Sequence, residues 1–531
     1  MQRIQKVLGL GLLLAASLFL LPRCSPRVPP DPETLVYHLP SEPDTLNPLT
    51  ATDAYASRIN GFLYDTLIER DNETLEFKPK MAKSWEISDD KLTYTFHLRD
   101  DIKWHDGKPV TADDVVYSYE QIMSDKVDAP HLRVYYQDIS KVEKIDDYTV
   151  RFTYAIPYFR ALEFVGGIPI IPKHIFDDGQ DFNSHPASRK PVGNGPYKFV
   201  EWKTGKHVLL ERNPDYYDKK KFPEIKKIRF KVIPDDTVAL QVLKKGQLDL
   251  SSLRPIQWVR QTNSEKFNEE FVKHKYYLPG YRYIGWNLRL PFFSDKKVRQ
   301  ALSHLVNRDA IVDKLEYGLG KITTGPFWVF GEENNPDIKP IPYDPQTAKK
   351  LLDEAGWIDR DGDGIREKDG QKFSFTFLIP AGADFYTRLA TIMKKDFEAA
   401  GLDMNIRTME WAAFVQHLNS RQFDAVSLAW SGSFDEDPYQ IWHSSQAAKG
   451  SNFIGFENKE ADRIMEEARQ VFDKEERVKM YRRFHEIIHE EQPYTFLYTG
   501  PALVVRDKRF KNVKVYKSGI DVLEWQISKG E

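Results

Sequence analysis

The sequence predicts a mixed α/β protein of two or three domains, on three observations. Strand-like alternation and helical periodicity interleave at no fixed repeat, 531 residues exceed what one hydrophobic core holds, and only the first residues form a long apolar run.

Arg3 and Lys6 precede an apolar run over 7–21 that is shorter than a comfortable membrane span, the shape of an export leader. A signal peptide is therefore expected over 1–23. Cys24, the single cysteine, follows it, with Leu21 three positions ahead, the spacing at which a lipoprotein leader is cut and the thiol acylated. Pro22 and Arg23 depart from the small residues usual at such a cut. A lipid-anchored protein of the cell envelope, held at the extracytoplasmic or periplasmic face, is the expectation, and a durable tether needs more than one acyl chain. Without a second cysteine there is no disulfide, and the proline-rich stretch 29–32 reads as a tether.

The remainder has the composition of a water-soluble body, with mean hydropathy −0.55 and 41% hydrophobic residues. A net charge of −3 and the lack of any basic block remove the electrostatic support that nucleic-acid binding needs. Aromatic residues reach 13%, including 11 Trp and 26 Tyr, which suits a cleft that holds an amphipathic ligand.

Along the body, 94–98 and 149–154 alternate as strands. Thr111, with Asp113 and Asp114 behind it, caps a helix through Val115, Val116 and Tyr119. Ser294 opens another helix, with Val298, Ala301, Leu302 and Leu305 on one face. The proline-rich 335–345 reads as a surface loop.

Three motifs bear on chemistry. His485-Glu-Ile-Ile-His489 matches the pattern that sets two imidazoles on one helix face for zinc with a glutamate as base, so a membrane-tethered zinc metallopeptidase is the second functional reading. Pro493 ends the helix about one turn later, no third ligand follows, and Val478, Tyr481, Phe484 and Ile488 form an apolar stripe that His485 borders. A helix packed by that stripe accounts for the pattern without zinc. Asp359-Arg-Asp-Gly-Asp-Gly364 copies half of a calcium loop, but Gly370 stands where the bidentate glutamate belongs, so a polar turn before the strand at 373–378 is favoured. Gly193-Asn-Gly-Pro-Tyr197 lacks the third glycine and the lysine of a phosphate cradle and reads as a tight turn. The lone cysteine lies in the leader region, and neither a Cys–His pair nor a Ser–His–Asp set can be assembled.

Ordered landmarks run through nearly the whole mature chain: Asp44-Thr-Leu-Asn-Pro48, Leu63-Tyr-Asp-Thr-Leu67, Trp104-His-Asp-Gly107, Gly193-Asn-Gly-Pro-Tyr197, Glu211-Arg-Asn-Pro-Asp-Tyr-Tyr217, Gly246-Gln-Leu-Asp249 and Glu354-Ala-Gly-Trp357. On these the chain resembles extracellular solute-binding protein family 5, the oligopeptide-, dipeptide- and nickel-binding proteins of ABC importers. The resemblance implies a two-lobed periplasmic binding protein fold of type II (cluster C), with an extra inserted domain and a hinge-linked cleft. It implies 24–49 as tether and start of lobe I, 50–190 as the inserted domain, 191–287 as lobe I continued, 288–497 as lobe II and 498–531 as the return to lobe I. The expected function is that of a substrate-binding lipoprotein, a monomer that takes extended oligopeptides between the lobes and delivers them to a membrane permease. No enzyme activity, cofactor, metal or nucleic acid is implied.

An extended peptide suits such a cleft chemically, since its backbone groups must all be paired when buried and its ammonium end needs a carboxylate. In Trp430-Ser-Gly-Ser-Phe-Asp-Glu-Asp-Pro438 the resemblance assigns the amine-gripping role to Asp435 first and Asp437 second. Trp430 and Trp411 resemble pocket-lining tryptophans, Glu42 lies where relatives approach the ligand's amino end, and Tyr283 with Asn287 lies at the lobe boundary.

Overall fold

The computed structural model describes residues 31–382 and 384–528, so Cys24 and the leader lie outside the described residues. Three main sheets organise the chain. A seven-stranded sheet takes strands from three separate stretches of sequence in the order Phe271–Tyr276, Ala502–Asp507, Leu250–Ser252, Thr34–Leu39, Lys227–Val232, His207–Arg212 and Tyr197–Lys203. Thr34–Leu39 runs parallel to both of its neighbours, and the other pairings are antiparallel. A four-stranded antiparallel sheet, Ala82–Ile87, Thr93–Leu98, Thr149–Tyr154 and Ile139–Asp146, packs into one continuous core with it. A five-stranded sheet, ordered Asp403–Met409, Ser374–Pro380, Ala425–Ser431, Gly280–Trp286 and Tyr494–Phe496, carries separate hydrophobic clusters. We call the first two sheets the first lobe and the five-stranded sheet with its helices the second.

The chain passes between lobes twice. Phe271–Tyr276 ends in the first lobe and Gly280–Trp286 begins in the second, so the outward crossing is 277–279, ahead of the 287–288 boundary expected from sequence. The return lies between Tyr498–Thr499, paired to Lys321–Ile322, and Ala502–Asp507. Each crossing holds a Gly–Pro contact point: Pro279 precedes Gly280, whose φ of +145° few other residues adopt, and Gly500 precedes Pro501.

Local chemistry accounts for the element ends. The helix Ala112–Met123 opens on a capping box of Thr111 and Asp114, the pairing of hydroxyl and early carboxylate expected from sequence, in which the Asp114 carboxylate accepts from the Thr111 amide at 2.9 Å. The helix with the expected apolar face spans Lys296–Leu305 and is capped by Asp295, accepting from the Lys297 amide at 2.9 Å, because Ser294 ends a short preceding turn of helix. Val298, Ala301, Leu302 and Leu305 are all buried. The Gly193-Asn-Gly195 motif ties two distant segments together. The amides of Asn194 and Gly195 both donate to the Leu63 carbonyl at 3.0 and 2.8 Å, while the Asn194 side-chain oxygen accepts from the Asp65 amide at 2.7 Å. Among the described residues no helix is long and apolar enough to cross a membrane.

Candidate ligand-binding cleft

A cavity of about 890 Å³ opens between the lobes. The first lobe contributes Arg70 and Phe77 from the paired strands Ile68–Arg70 and Phe77–Pro79, Trp85 from Ala82–Ile87, Tyr276 from the end of Phe271–Tyr276, Tyr277 from the outward crossing, and 515–517 from the C-terminal segment; the second contributes 328 and 330–333, Phe434, Asp435 and Lys474. The wall is aromatic and charged together. Trp328 meets Phe434 edge-on at 5.4 Å and Phe330 at 5.7 Å, and Tyr277 reaches across to Phe330 at 5.5 Å. Five carboxylates, Glu73, Glu76, Glu332, Glu333 and Asp435, face three cations, Arg70, Lys474 and Lys517. Lys474, the first residue of the helix Lys474–Glu491, pairs with Glu332 at 2.9 Å.

Asp435 is in this wall, and the protein supplies its counter-ion: Arg70 of the first lobe reaches it at 2.7 Å. Arg70 is itself held by the Leu75 carbonyl at 2.9 Å and lies over the Phe77 ring at 4.3 Å. Asp437 points away from the cavity. Its side chain accepts from the Tyr158 hydroxyl at 2.9 Å and meets Arg469 at 3.1 Å, which ties the 158–163 segment to the second lobe. The Phe159 amide adds a backbone bond to the Arg469 carbonyl at 2.8 Å. Between the two aspartates, burial raises the Glu436 carboxyl to about 7 against the opposing pull of the Ser433 amide and Arg160.

The other sequence-derived residues are dispersed. Trp430 is half-buried and stacks between Tyr283 and Phe453 at 6.4 and 6.0 Å, behind the cavity wall. Tyr283 is buried in the second-lobe core, its ring 3.9 Å from that of Tyr494. Asn287 is buried, donating to the Phe423 carbonyl at 2.8 Å, which fixes a loop. Trp411, at the head of the helix Trp411–Asn419, is exposed and stacks on Phe414, and it does not line the cavity. Glu42 accepts from the Trp202 indole and from the Gly205 amide at 2.7 Å, holding the turn between two first-lobe strands. Of the seven, the structure brings Asp435 alone into the cavity wall.

The two metal-like motifs are engaged by protein groups. The Asn335 amide donates to Nδ1 of His485 at 3.1 Å, so the imidazole proton sits on Nε2, which donates to the Thr324 hydroxyl at 3.0 Å. Both ring nitrogens are thereby used. Glu486 takes Asn335 and Arg483, at 3.1 and 3.0 Å. In the 359–364 turn, Lys372 places its ammonium 3.1 Å from Asp361 and against Asp363, a protein cation among the three carboxylates.

Residues 76–452 match the sequence profile of the bacterial extracellular solute-binding proteins, family 5 middle region. The chain belongs to this family. Among curated relatives, the oligopeptide-binding protein AppA of Bacillus subtilis is 35% identical over 470 residues, covering 86% of this chain and 84% of its own. The structure of that protein in complex with a nonapeptide superposes with a TM-score of 0.80 at 33% identity, over 93% of this chain and 99% of the other. NikZ of Campylobacter jejuni in complex with Ni(L-His) gives a TM-score of 0.80 at 29% identity, over 93% and 100% of the two chains. As a family 5 binding protein, the molecule is an extracytoplasmic solute receptor and not an enzyme. The cavity-wall residues that the sequence reading missed, Arg70, Trp328 and Glu333 foremost, sit outside the quoted landmarks; the aromatics clustered around Gly331, Trp328 and Phe330, were the one available signal.

Proposed function

We propose that the protein is the lipid-anchored receptor of an ABC importer, that it binds extended oligopeptides in the inter-lobe cleft, and that it hands them to membrane permease subunits. The observation that carries the reading is the cavity itself. Its volume of about 890 Å³ is at the upper end for small-molecule sites, and its wall mixes aromatic rings with charges of both signs, which suits a zwitterionic chain longer than two residues. The likeness to AppA, solved with a nonapeptide, supports the same ligand class. Closure follows from contacts with both lobes at once, the ligand adding its own bonds to those that Arg70 and Tyr158 already make across the gap. The domain division expected from sequence, with 50–190 inserted into the first lobe, is part of this reading.

Mass spectrometry of the solute that co-purifies with the protein, followed by calorimetry against tri- to nonapeptides, nickel–histidine, haem and sugars, tests the assignment. Peptide in the purified protein and peptide heats in calorimetry are the expected results; heats only from a chelate, haem or a sugar would replace the ligand class. For the anchor, Cys24→Ala should release the protein from the membrane fraction, and unchanged membrane retention would remove the lipid from the reading.

A further inference from the structure

The cleft holds one buried carboxylate that the protein leaves without a cation, Glu73 and Glu76 in the same wall being exposed to solvent. Glu333 is 8% exposed and lines the cavity, and no Lys, Arg or His lies within ion-pair distance of it among the described residues. The charged side chains that act on it are engaged elsewhere: Asp435 takes Arg70, and Lys474 takes Glu332. A carboxylate removed from water is costly unless paired, and removing it entirely from this place would leave the cavity with no such demand. Burial, with the charge of Asp435 adding to it, raises the Glu333 pKa, while Lys474 opposes the rise from farther off. A Cβ on Gly331 would come 3.1 Å from Glu333 Oε2, 3.2 Å from the Trp328 carbonyl oxygen and 3.5 Å from the Trp328 Cβ, so the glycine leaves room for the carboxylate close to Trp328.

We propose that Glu333 is the receptor for a ligand cation, an ammonium or guanidinium carried by the peptide, and that Trp328 borders the place it occupies. This rests on the peptide reading above and shifts the cation contact from Asp435, which already has a partner. A carboxylate supplies the charge-assisted bonds, and an aromatic neighbour accepts a desolvated cation more readily than it accepts an anion. The cation comes from the peptide's amino terminus or from a lysine or arginine side chain, and the two sources are separable.

The test is calorimetry with three probes: tetra-alanine, N-acetyl-tetra-alanine, and N-acetylated tetra-alanine with one alanine replaced by lysine. Wild-type protein should bind at least one of the cationic probes more tightly than the acetylated neutral one. Glu333→Gln should lose that preference by about thirty-fold, the loss typical of one partner removed from a desolvated pair. Loss confined to tetra-alanine identifies the amino terminus, and loss confined to the lysine probe identifies a side chain. Glu332→Gln, at the Lys474 pair, should lose less. Melting of ligand-free Glu333→Gln controls for folding and should occur at or above the wild-type temperature, because an unpaired buried charge has been removed. A folded Glu333→Gln protein that keeps the wild-type preference overturns the proposal and leaves the peptide reading standing. Equal binding of all three probes by wild type also overturns it, and failure to bind any of them overturns the peptide reading and this proposal together.

Discussion

Nη2 of Arg70 lies 2.7 Å from Oδ2 of Asp435 and 3.2 Å from Oε1 of Glu163, so one guanidinium draws a second-lobe loop against two segments of the first lobe. The three side chains are partly exposed, which limits the strength of the arrangement, since water screens part of the attraction. What it contributes is a bias toward closure. Arg70→Gln is expected to cost about 1 kcal/mol of the closed state, a shift of roughly fivefold in the closed-to-open ratio. Small-angle scattering of ligand-free protein reads this as a larger radius of gyration. An unchanged profile would mean that other contacts, Tyr158 to Asp437 among them, hold the lobes without Arg70.

The Gly193 knot gives a prediction of opposite character, because it concerns folding alone. A Cβ at Gly193 would lie 1.9 Å from the Leu63 carbonyl oxygen, a backbone atom that cannot swing aside. Gly193→Ala should therefore destabilise the protein by about 3 kcal/mol or more, the scale of overpacking with backbone displacement. Gly61 is the matched control: it sits in the helix Ala54–Leu63 with nothing within 4 Å of its would-be Cβ, so Gly61→Ala should stabilise by about 0.5 to 1 kcal/mol. Urea unfolding of the two variants side by side decides it, and equal effects would contradict the packing at Leu63.

The contrast between these residues explains what was legible in the sequence. Capping carboxylates, apolar helix faces and the landmark motifs act within a few residues or leave recognisable strings, and they pointed to the α/β architecture and to the family. The Gly193 motif was legible as a turn, but its partner, the Leu63 carbonyl, is 130 residues away and leaves no trace in its own neighbourhood. The cleft was harder still. Arg70 and Asp435 are 365 positions apart, and nothing local marks either as the other's partner. Tryptophans drew attention as pocket candidates because they are large and amphipathic, yet Trp411 is exposed and Trp430 stacks behind the wall, since stacking on Phe414 or Tyr283 satisfies a ring as well as a ligand does. Glu333 looks like any surface glutamate in the string Gly331-Glu-Glu-Asn334, and only burial distinguishes it from Glu332.

Burial of His485 leads to a pH prediction. Desolvation holds its pKa down to about 4 in the folded protein, and His105, likewise desolvated, is held to about 4. In the unfolded chain a histidine titrates near 6.5, so between about pH 6.5 and 4 the unfolded state binds protons that the folded state does not. Stability therefore falls as pH drops through this window and is unaffected by these groups above it. Each histidine accounts for about 2 to 3 kcal/mol by pH 4, and together they steepen the slope by up to two protons. Urea unfolding between pH 4 and 7 measures the slope. His485→Gln loses the bond geometry to Asn335 and Thr324, and so some stability at neutral pH, but its slope should be smaller by about one proton; a wild-type slope in that variant would place the acid sensitivity elsewhere.

Asp437 and Asp435 are separated by one residue and should fail differently. Asp437 is nearly inaccessible at its side chain, accepts from the Tyr158 hydroxyl at 2.9 Å, and meets Arg469, whose guanidinium also lies over the Tyr158 ring at 4.6 Å. Removing its charge strands Arg469 beside a buried phenol, a change that typically costs about 2 to 4 kcal/mol. Asp437→Asn should thus lower the unfolding free energy and loosen the contact between 158–163 and the second lobe, with ligand affinity falling only as closure becomes harder. Asp435→Asn, in a partly exposed pair, should cost about 1 kcal/mol or less in folding. A double-mutant cycle of Asp437→Asn with Tyr158→Phe isolates the shared bond, and a coupling of about 1 kcal/mol or more is expected because the two groups touch. Additive effects would mean that Arg469, not Tyr158, is the partner that holds Asp437 in place, and the cycle with Arg469→Met would then carry the coupling.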